Sequence, residues 1–102
     1  MNNRDKVLNL LGLATRARKI ILGPEFILKE IARSSHALIF LAKDSGENIT
    51  KKVNDKAKTY NKQVIDTYTS EELSHAIGKE NRKIVLVTDK GFIKKFTEYL
   101  NS

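Results

Sequence analysis

The residues best placed to do chemistry in this 102-residue chain are cations gathered around one corner. Leu22-Gly23-Pro24-Glu25-Phe26-Ile27-Leu28-Lys29-Glu30-Ile31 reads as a strand end feeding directly into a helix. Pro24 suits the first helical position, where its missing N–H costs nothing and its φ is already helical. Gly23 lets another chain come close to the backbone. The free N–H groups of that first turn make a seat for a phosphate. Lys29 and Arg33 lie four apart and project from one face of the helix, and Arg16, Arg18 and Lys19 crowd into four residues just upstream. Such a grouping points to the backbone of a nucleic acid. The plainer alternatives are a solvated helix face for Lys29 and Arg33, and cations complementing a helix C-terminus for the upstream cluster.

Bulk charge agrees. A net charge of +7 and a pI near 9.7 favour a polyanionic partner: RNA, DNA or an anionic membrane surface. The absence of cysteine excludes disulfides, thiolate metal sites and thiol catalysis. His36 and His75 are isolated and make no metal site; His75 reads equally as a partly buried structural residue or an RNA contact. There is no Gly-x-Ser-x-Gly elbow, Walker loop or dinucleotide fingerprint, and Ser70, His75 and Asp89 form a triad only by residue type. The expectation is a non-catalytic protein without cofactor or metal. The apolar runs are too short to span a bilayer and Asn2 to Lys6 is polar, so no membrane partner is expected and the compartment is read as cytoplasmic.

The elements that must position the corner alternate along one domain spanning residues 1–102. A helix from about Arg4 to Ala17 carries Val7, Leu10, Leu11 and Ala14, with Leu8 and Leu13 widening the stripe. Ile20 to Leu22 is extended, and the Pro24 helix buries Ile27, Leu28 and Ile31. Ala37 to Ala42 is a continuous apolar run, which belongs in a central strand covered on both faces. Asp44-Ser45-Gly46-Glu47 has capping-box spacing and opens a helix with Ile49, Val53, Ala57 and Tyr60 on one side. Its Lys51, Lys52, Lys56 and Lys58 read as mostly solvating. Gln63 to Asp66 is a short strand. Thr69-Ser70-Glu71-Glu72 is a second capping box, opening a helix through Leu73, Ala76 and Ile77 that Gly78 ends as a left-handed cap. Lys83 to Thr88 is the second buried strand, and Asp89 caps a last helix with Ile93, Phe96 and Leu100 facing in. All five glycines read as punctuation of loops or helix ends, and the three tyrosines as core or edge packing. Strict alternation of this kind implies a largely parallel sheet with helices on both faces.

Several stretches in order along the chain resemble the bacterial YlxQ family, within the ribosomal protein L-seven-Ae-like superfamily of kink-turn RNA binders. They are Leu11-Gly12-Leu13-Ala14-Thr15-Arg16-Ala17-Arg18-Lys19, Gly23 through Ile31, Leu41-Ala42-Lys43-Asp44, Thr50-Lys51-Lys52, Leu73-Ser74-His75-Ala76-Ile77-Gly78-Lys79 and Val87-Thr88-Asp89-Lys90-Gly91-Phe92. The resemblance implies an α/β fold, a three-layer α/β/α sandwich with a four-stranded mixed sheet. It also implies RNA binding by the loop and helix after the first strand, together with the loop before the last strand, here Gly78 to Lys83.

The family's reading motif is Gly, any residue, Asn, Glu, two residues, then Lys. On this chain it falls on Gly23 to Lys29. Gly23 and Lys29 match; Glu25 and Phe26 stand where the family has Asn and Glu, the side chains that hydrogen-bond the sheared G·A pairs of a kink-turn. Phe26 has no donor or acceptor for that task, although its ring could stack on a base. Glu25 suits the helix dipole and repels a phosphate. Kink-turn readers often present a short apolar segment in the second loop, where this chain has Lys79-Glu80-Asn81-Arg82.

The expected RNA-binding residues are Arg16, Arg18, Lys19, Gly23, Glu25, Phe26, Lys29, Arg33, Lys79, Asn81 and Arg82. The expected partner is a structured RNA, with ribosomal RNA one candidate. The competing reading is a protein-interaction adaptor on ribosomal or transcription machinery, favoured by Phe26 in place of a polar reader. An exposed Phe26 permits stacking or docking; a buried one leaves phosphate binding alone. The electrostatic reading also requires Arg16, Arg18, Lys29, Lys79 and Arg82 to converge in space. Gly23, Lys29, Arg33 and the loop Lys79 to Arg82 are expected together at one end of the sheet, with Arg16, Arg18 or Lys19 beside them.

Overall fold

A computed structural model describes residues 2–102. Helices and strands alternate throughout: α1 (Asn3–Arg16), β1 (Ile20–Ile21), α2 (Pro24–Arg33), β2 (Leu38–Leu41), α3 (Glu47–Thr59), β3 (Gln63–Ile65), α4 (Ser70–Ile77), β4 (Ile84–Val87) and α5 (Lys90–Leu100). The sheet order is β1-β4-β2-β3. The two apolar runs are adjacent central strands, with Leu38 opposite Val87 and Leu41 opposite Ile84.

Their lack of alternation has the expected cause. Leu38, Phe40, Val85 and Val87 point into one core with α1, α4 and α5, where Phe40 meets Phe96 edge-on at 5.1 Å between ring centres. Ile39, Leu41, Ile84 and Leu86 point into a second core beneath α2 and α3. Each central strand is therefore buried on both faces, and the molecule is a three-layer sandwich.

The sheet is mixed, as the resemblance implies, and the largely parallel sheet expected from alternation is corrected. Strand β2 pairs with β3 in parallel, but β4 runs antiparallel to both β1 and β2. The cause lies in α4, which spans only 8 residues. The loop after it folds back: the Arg82 amide donates to Ser74 Oγ at 2.8 Å, and Ser74 Oγ donates to the Arg82 carbonyl at 3.2 Å. The chain thus returns to the end of the sheet it had just left, and β4 must start there and run in reverse.

The caps at the starts of α1, α4 and α5 and at the end of α4 follow their chemistry, and the start of α3 does not. Asn2 caps α1 through the Asp5 amide, Asp89 caps α5 through the Phe92 amide at 3.0 Å, and Gly78 ends α4 at a φ of 69°. Thr69 and Glu72 form the expected reciprocal box, at 3.0 and 3.1 Å. Asp44 does not cap α3, which starts at Gly46 without a side-chain cap. Its carboxylate instead accepts from the Ser70 amide at 2.7 Å and the Ser70 hydroxyl at 2.6 Å. The end of β2 and the start of α4 lie at the same end of the sheet, so Asp44 serves the helix beside it rather than the one after it.

Three further expectations are corrected. Leu13 is 50% exposed rather than part of the buried stripe. Tyr60 lies beyond the last turn of α3 and is exposed, with Lys56 over its ring, while Tyr68 is buried against Phe40. Gly12 lies inside α1, not at an end. A Cβ there would come within 3.0 Å of the Ala76 carbonyl oxygen, so the missing side chain lets α1 and α4 approach closely. Gly12→Val is expected to destabilise the fold by about 1–3 kcal/mol through overpacking. A urea midpoint equal to that of the parent would show that the contact is not tight.

Acid sensitivity follows from the same helix ends. The Thr69 amide and the Arg4 guanidinium hold the Glu72 carboxyl below its ordinary value, and the Ser70 hydroxyl and amide do the same for Asp44. A carboxyl depressed in the folded state stabilises above the unfolded pKa and loses that contribution as pH falls through the folded one. Stability is therefore expected to decline on acidification below the ordinary carboxylate range, and Glu72→Gln to be less stable at neutral pH with a shallower acid limb. Urea midpoints across a pH series measure this, and parallel curves for parent and variant would contradict it.

Candidate nucleic-acid interface

Gly23 sits at the end of β1 with a φ of 95°, a conformation that side chains resist, and serves as N-cap of α2 with no capping side chain. Pro24 has no N–H, so Glu25 and Phe26 carry the open amides of the first turn. The Phe26 ring is 70% exposed and lies over Gly23, whose Cβ position would be 3.5 Å from the ring edge. Three residues on, Lys29 is exposed on the same side of the helix as Phe26.

The second loop comes to this corner through strand pairing. Ile21 lies opposite Leu86 in an antiparallel ladder, which carries the end of β1 to the start of β4. A shallow depression there is lined by Gly23, Pro24 and Ile49 on one side and by Asn81, Arg82, Lys83 and Ile84 on the other. Asn81 has a φ of 55°, a left-handed turn that Asn tolerates well. Arg82 is held by Ser74, the one buried polar side chain among the described residues. Sequence reasoning missed Ser74 as a positioning residue. Its signal was a polar residue next to Leu73 and three before Ile77, on the buried stripe of a short helix.

The structure thus brings Gly23, Glu25, Phe26, Lys29, Asn81 and Arg82 together. Lys79 lies on the α4 side of the same loop, in a depression with Ser70, Ser74 and His75. His75 is exposed and so is not a partly buried structural residue. Arg33, expected at this corner, is not there: it stands in the last turn of α2, roughly 13 Å along the axis from Pro24 at 1.5 Å per residue, paired with Glu30 at 3.5 Å. Arg16 is exposed beside His75 and Gly78, at the end of α4.

Arg18 and Lys19 are elsewhere. Ile20 lies opposite Val87, so the residues before it sit at the end of β4, not at its start. Lys19 there pairs with Asp89 at 3.8 Å. The adjacency expected of these two cations with the Gly23 corner fails because β1 stands between them. The same geometry separates Asp89 from Ser70 and dissolves the nominal triad, since Ser70 bonds to Asp44 at the Gly23 end.

Among the described residues no cluster of three metal-ligating side chains occurs, and no helix is long and apolar enough to cross a membrane. The candidate interface is an open rim: amides at a helix start, an aromatic ring lying over a glycine, flanking cations, and the backbone and amide group of a turn.

Comparison with known proteins agrees with this architecture. Residues 5–97 match the family described as ribosomal protein L7Ae/L30e/S12e/Gadd45. A protein from Enterococcus faecium named RNA-binding protein YlxQ is 39% identical over 98 residues, covering 96% of this chain and 94% of its own. Its namesake in Bacillus subtilis (strain 168) is 40% identical over 92 residues, covering 90% and 92%. A solved structure from Bacillus halodurans C, described as a protein with unknown function, superposes with a TM-score of 0.87 at 35% identity, covering 95% of this chain and 98% of that one. The Giardia lamblia 15.5kD RNA binding protein shares the fold, with a TM-score of 0.79 at 17% identity, covering 97% and 85%. With a family match across almost its whole length, and relatives near 40% identity, the chain belongs to the ribosomal protein L7Ae/L30e/S12e/Gadd45 family and, within it, to the YlxQ group.

Proposed function

We propose that this protein binds structured RNA without catalysis, through the rim where the start of α2 meets the loop before β4. The observation that carries the reading is the depression shared by Gly23, Pro24, Asn81, Arg82 and Lys83, with the exposed Phe26 lying over Gly23 and the exposed Lys29 three residues further along α2. The net charge of +7 supports a polyanion, and the names of the two YlxQ relatives support RNA among polyanions.

In this reading the open amides of Glu25 and Phe26 and the Lys29 ammonium take phosphates. Arg82 and Asn81 contact the backbone and base edges across the depression, and Lys79 and Arg16 extend the contact along α4. Arg33 attracts RNA only at longer range. The proposed target is kink-turn-like, with ribosomal RNA a candidate. Its readout differs from hydrogen bonding to sheared G·A pairs, because Phe26 offers a stacking face where the family has a polar side chain.

The same exposed Phe26 favours a second reading, an adaptor that has exchanged RNA readout for docking on ribosomal or transcription machinery. The two separate by mutation. Under the RNA reading, Lys29→Ala weakens RNA binding by about 1–3 kcal/mol and lowers the salt slope by about 1. Phe26→Ala costs about 1–3 kcal/mol if the ring stacks on a base. Under the adaptor reading RNA affinity is weak, unselective and indifferent to Phe26, and removal of the ring loses a protein partner. Titration of parent and variants against a kink-turn RNA and a plain duplex, at two salt concentrations, measures all of these. Equal affinity for the two RNAs would reject kink-turn recognition, and an unchanged salt slope for Lys29→Ala would reject Lys29 as a phosphate contact.

A further inference from the structure

Arg18 and Lys19, which do not reach the Gly23 corner, lie at the opposite end of the sheet, where β4 finishes. Lys19 and Asp89 meet there, and Arg18 and Lys90 flank that pair in sequence. Lys94 follows Lys90 by four residues on the outward side of α5, whose inward side is Phe92, Ile93, Phe96 and Leu100. Arg18, Lys90 and Lys94 are all exposed, and none makes an ion pair with the described residues.

Two local preferences are broken side by side here, both in favour of positive charge. Arg18 occupies the position just past the end of α1 with a φ of 59°, where glycine or asparagine is the easy choice. The other two left-handed residues that are not glycine, Asn61 and Asn81, follow that preference. The dipole of α1 favours a cation near its end, but does not require one in that conformation. Lys90 opens α5, a first turn that holds no acidic residue, at the helix end whose dipole disfavours a cation. The one acid present, Asp89, is already occupied as the cap for the Phe92 amide and by Lys19. Departures from local preference cluster at functional sites, so two side by side point to a role beyond stability.

We propose that Arg18, Lys19, Lys90 and Lys94 form a second surface that contacts RNA phosphates, at the opposite end of the sheet from Gly23. One molecule then holds two RNA segments, one at each end. The pairing of the two surfaces rests on the reading of the Gly23 corner as an RNA site. The contact is independent of sequence, since ammonium and guanidinium groups set against phosphates carry no sequence information.

The test is capture of a fluorescent RNA hairpin by an immobilised RNA hairpin in the presence of the protein, alongside direct titration of a single hairpin over a range of salt. The variants are Lys90→Glu with Lys94→Glu, and Lys29→Ala. Acidic residues near the start of α5 suit its dipole, so the double variant is expected to fold, and its thermal unfolding is recorded. The protein's mass in the same buffer is measured by light scattering, and a monomer is expected. The parent is expected to capture the second hairpin. The double variant should lose capture at least tenfold while keeping single-hairpin affinity within about threefold and its salt slope unchanged, because the single hairpin is held at the Gly23 corner. Capture unchanged in the double variant, no capture by the parent, or capture explained by a dimer would overturn the proposal. If Lys29→Ala leaves single-hairpin binding intact while the double variant abolishes it, the corner reading fails and the far surface stands as the RNA site.

Discussion

The hydroxyl of Ser74 holds the backbone of Arg82 from both sides, and much of the molecule depends on that clamp. It folds the loop after α4 back on the helix, which returns the chain to the end of the sheet where β3 finished. The direction of β4 follows, and with it the mixed sheet. Because β4 then starts beside the end of β1, Asn81 and Arg82 come to rest against Gly23 and Pro24. A buried hydroxyl with both its donor and its acceptor used is stable in an apolar setting, whereas an unpartnered one is costly. Topology and candidate interface thus share one polar contact.

The core and the rim divide the work. Two apolar layers, one on each face of the sheet, hold the central strands and carry no charge. Chemistry is confined to the ends of the strands, where loops and helix starts expose backbone groups. There the chain departs from what stability alone would choose: a phenylalanine left 70% exposed at the start of α2, a glycine at a φ of 95°, and an arginine in a left-handed turn. None of these improves packing. All lie where a polyanion could reach them.

Element order, both central strands, the Thr69 box, the Gly78 cap and most of the inward faces of the helices, Leu13 and Tyr60 apart, were legible in the sequence, because periodicity and capping are local properties. The direction of β4 was not, since a short α4 looks like any crossover until the Ser74 clamp is seen. Asp44 misled in the same way: its spacing to Glu47 matched a box, yet Ser70 lay closer in space. Gly12 looked like punctuation because the approach of α4 leaves no local trace in α1. Of the candidate site, the corner and its loop were legible through resemblance to a known family. The upstream cations seemed to belong with them because four residues are few in sequence. Along an extended strand, however, four residues cover about 13 Å and carry Lys19 to the other end of the sheet.

The central claim is that the start of α2 and the loop before β4 act as one RNA surface. Nuclear magnetic resonance titration of the labelled protein with a short kink-turn RNA measures this residue by residue. The amides of Gly23 to Lys29 and of Lys79 to Lys83 are expected to shift together along one saturation curve. The Asn61 turn beside β3 should stay still. Shifts confined to one of the two segments, or separate saturation of each, would contradict a single shared surface.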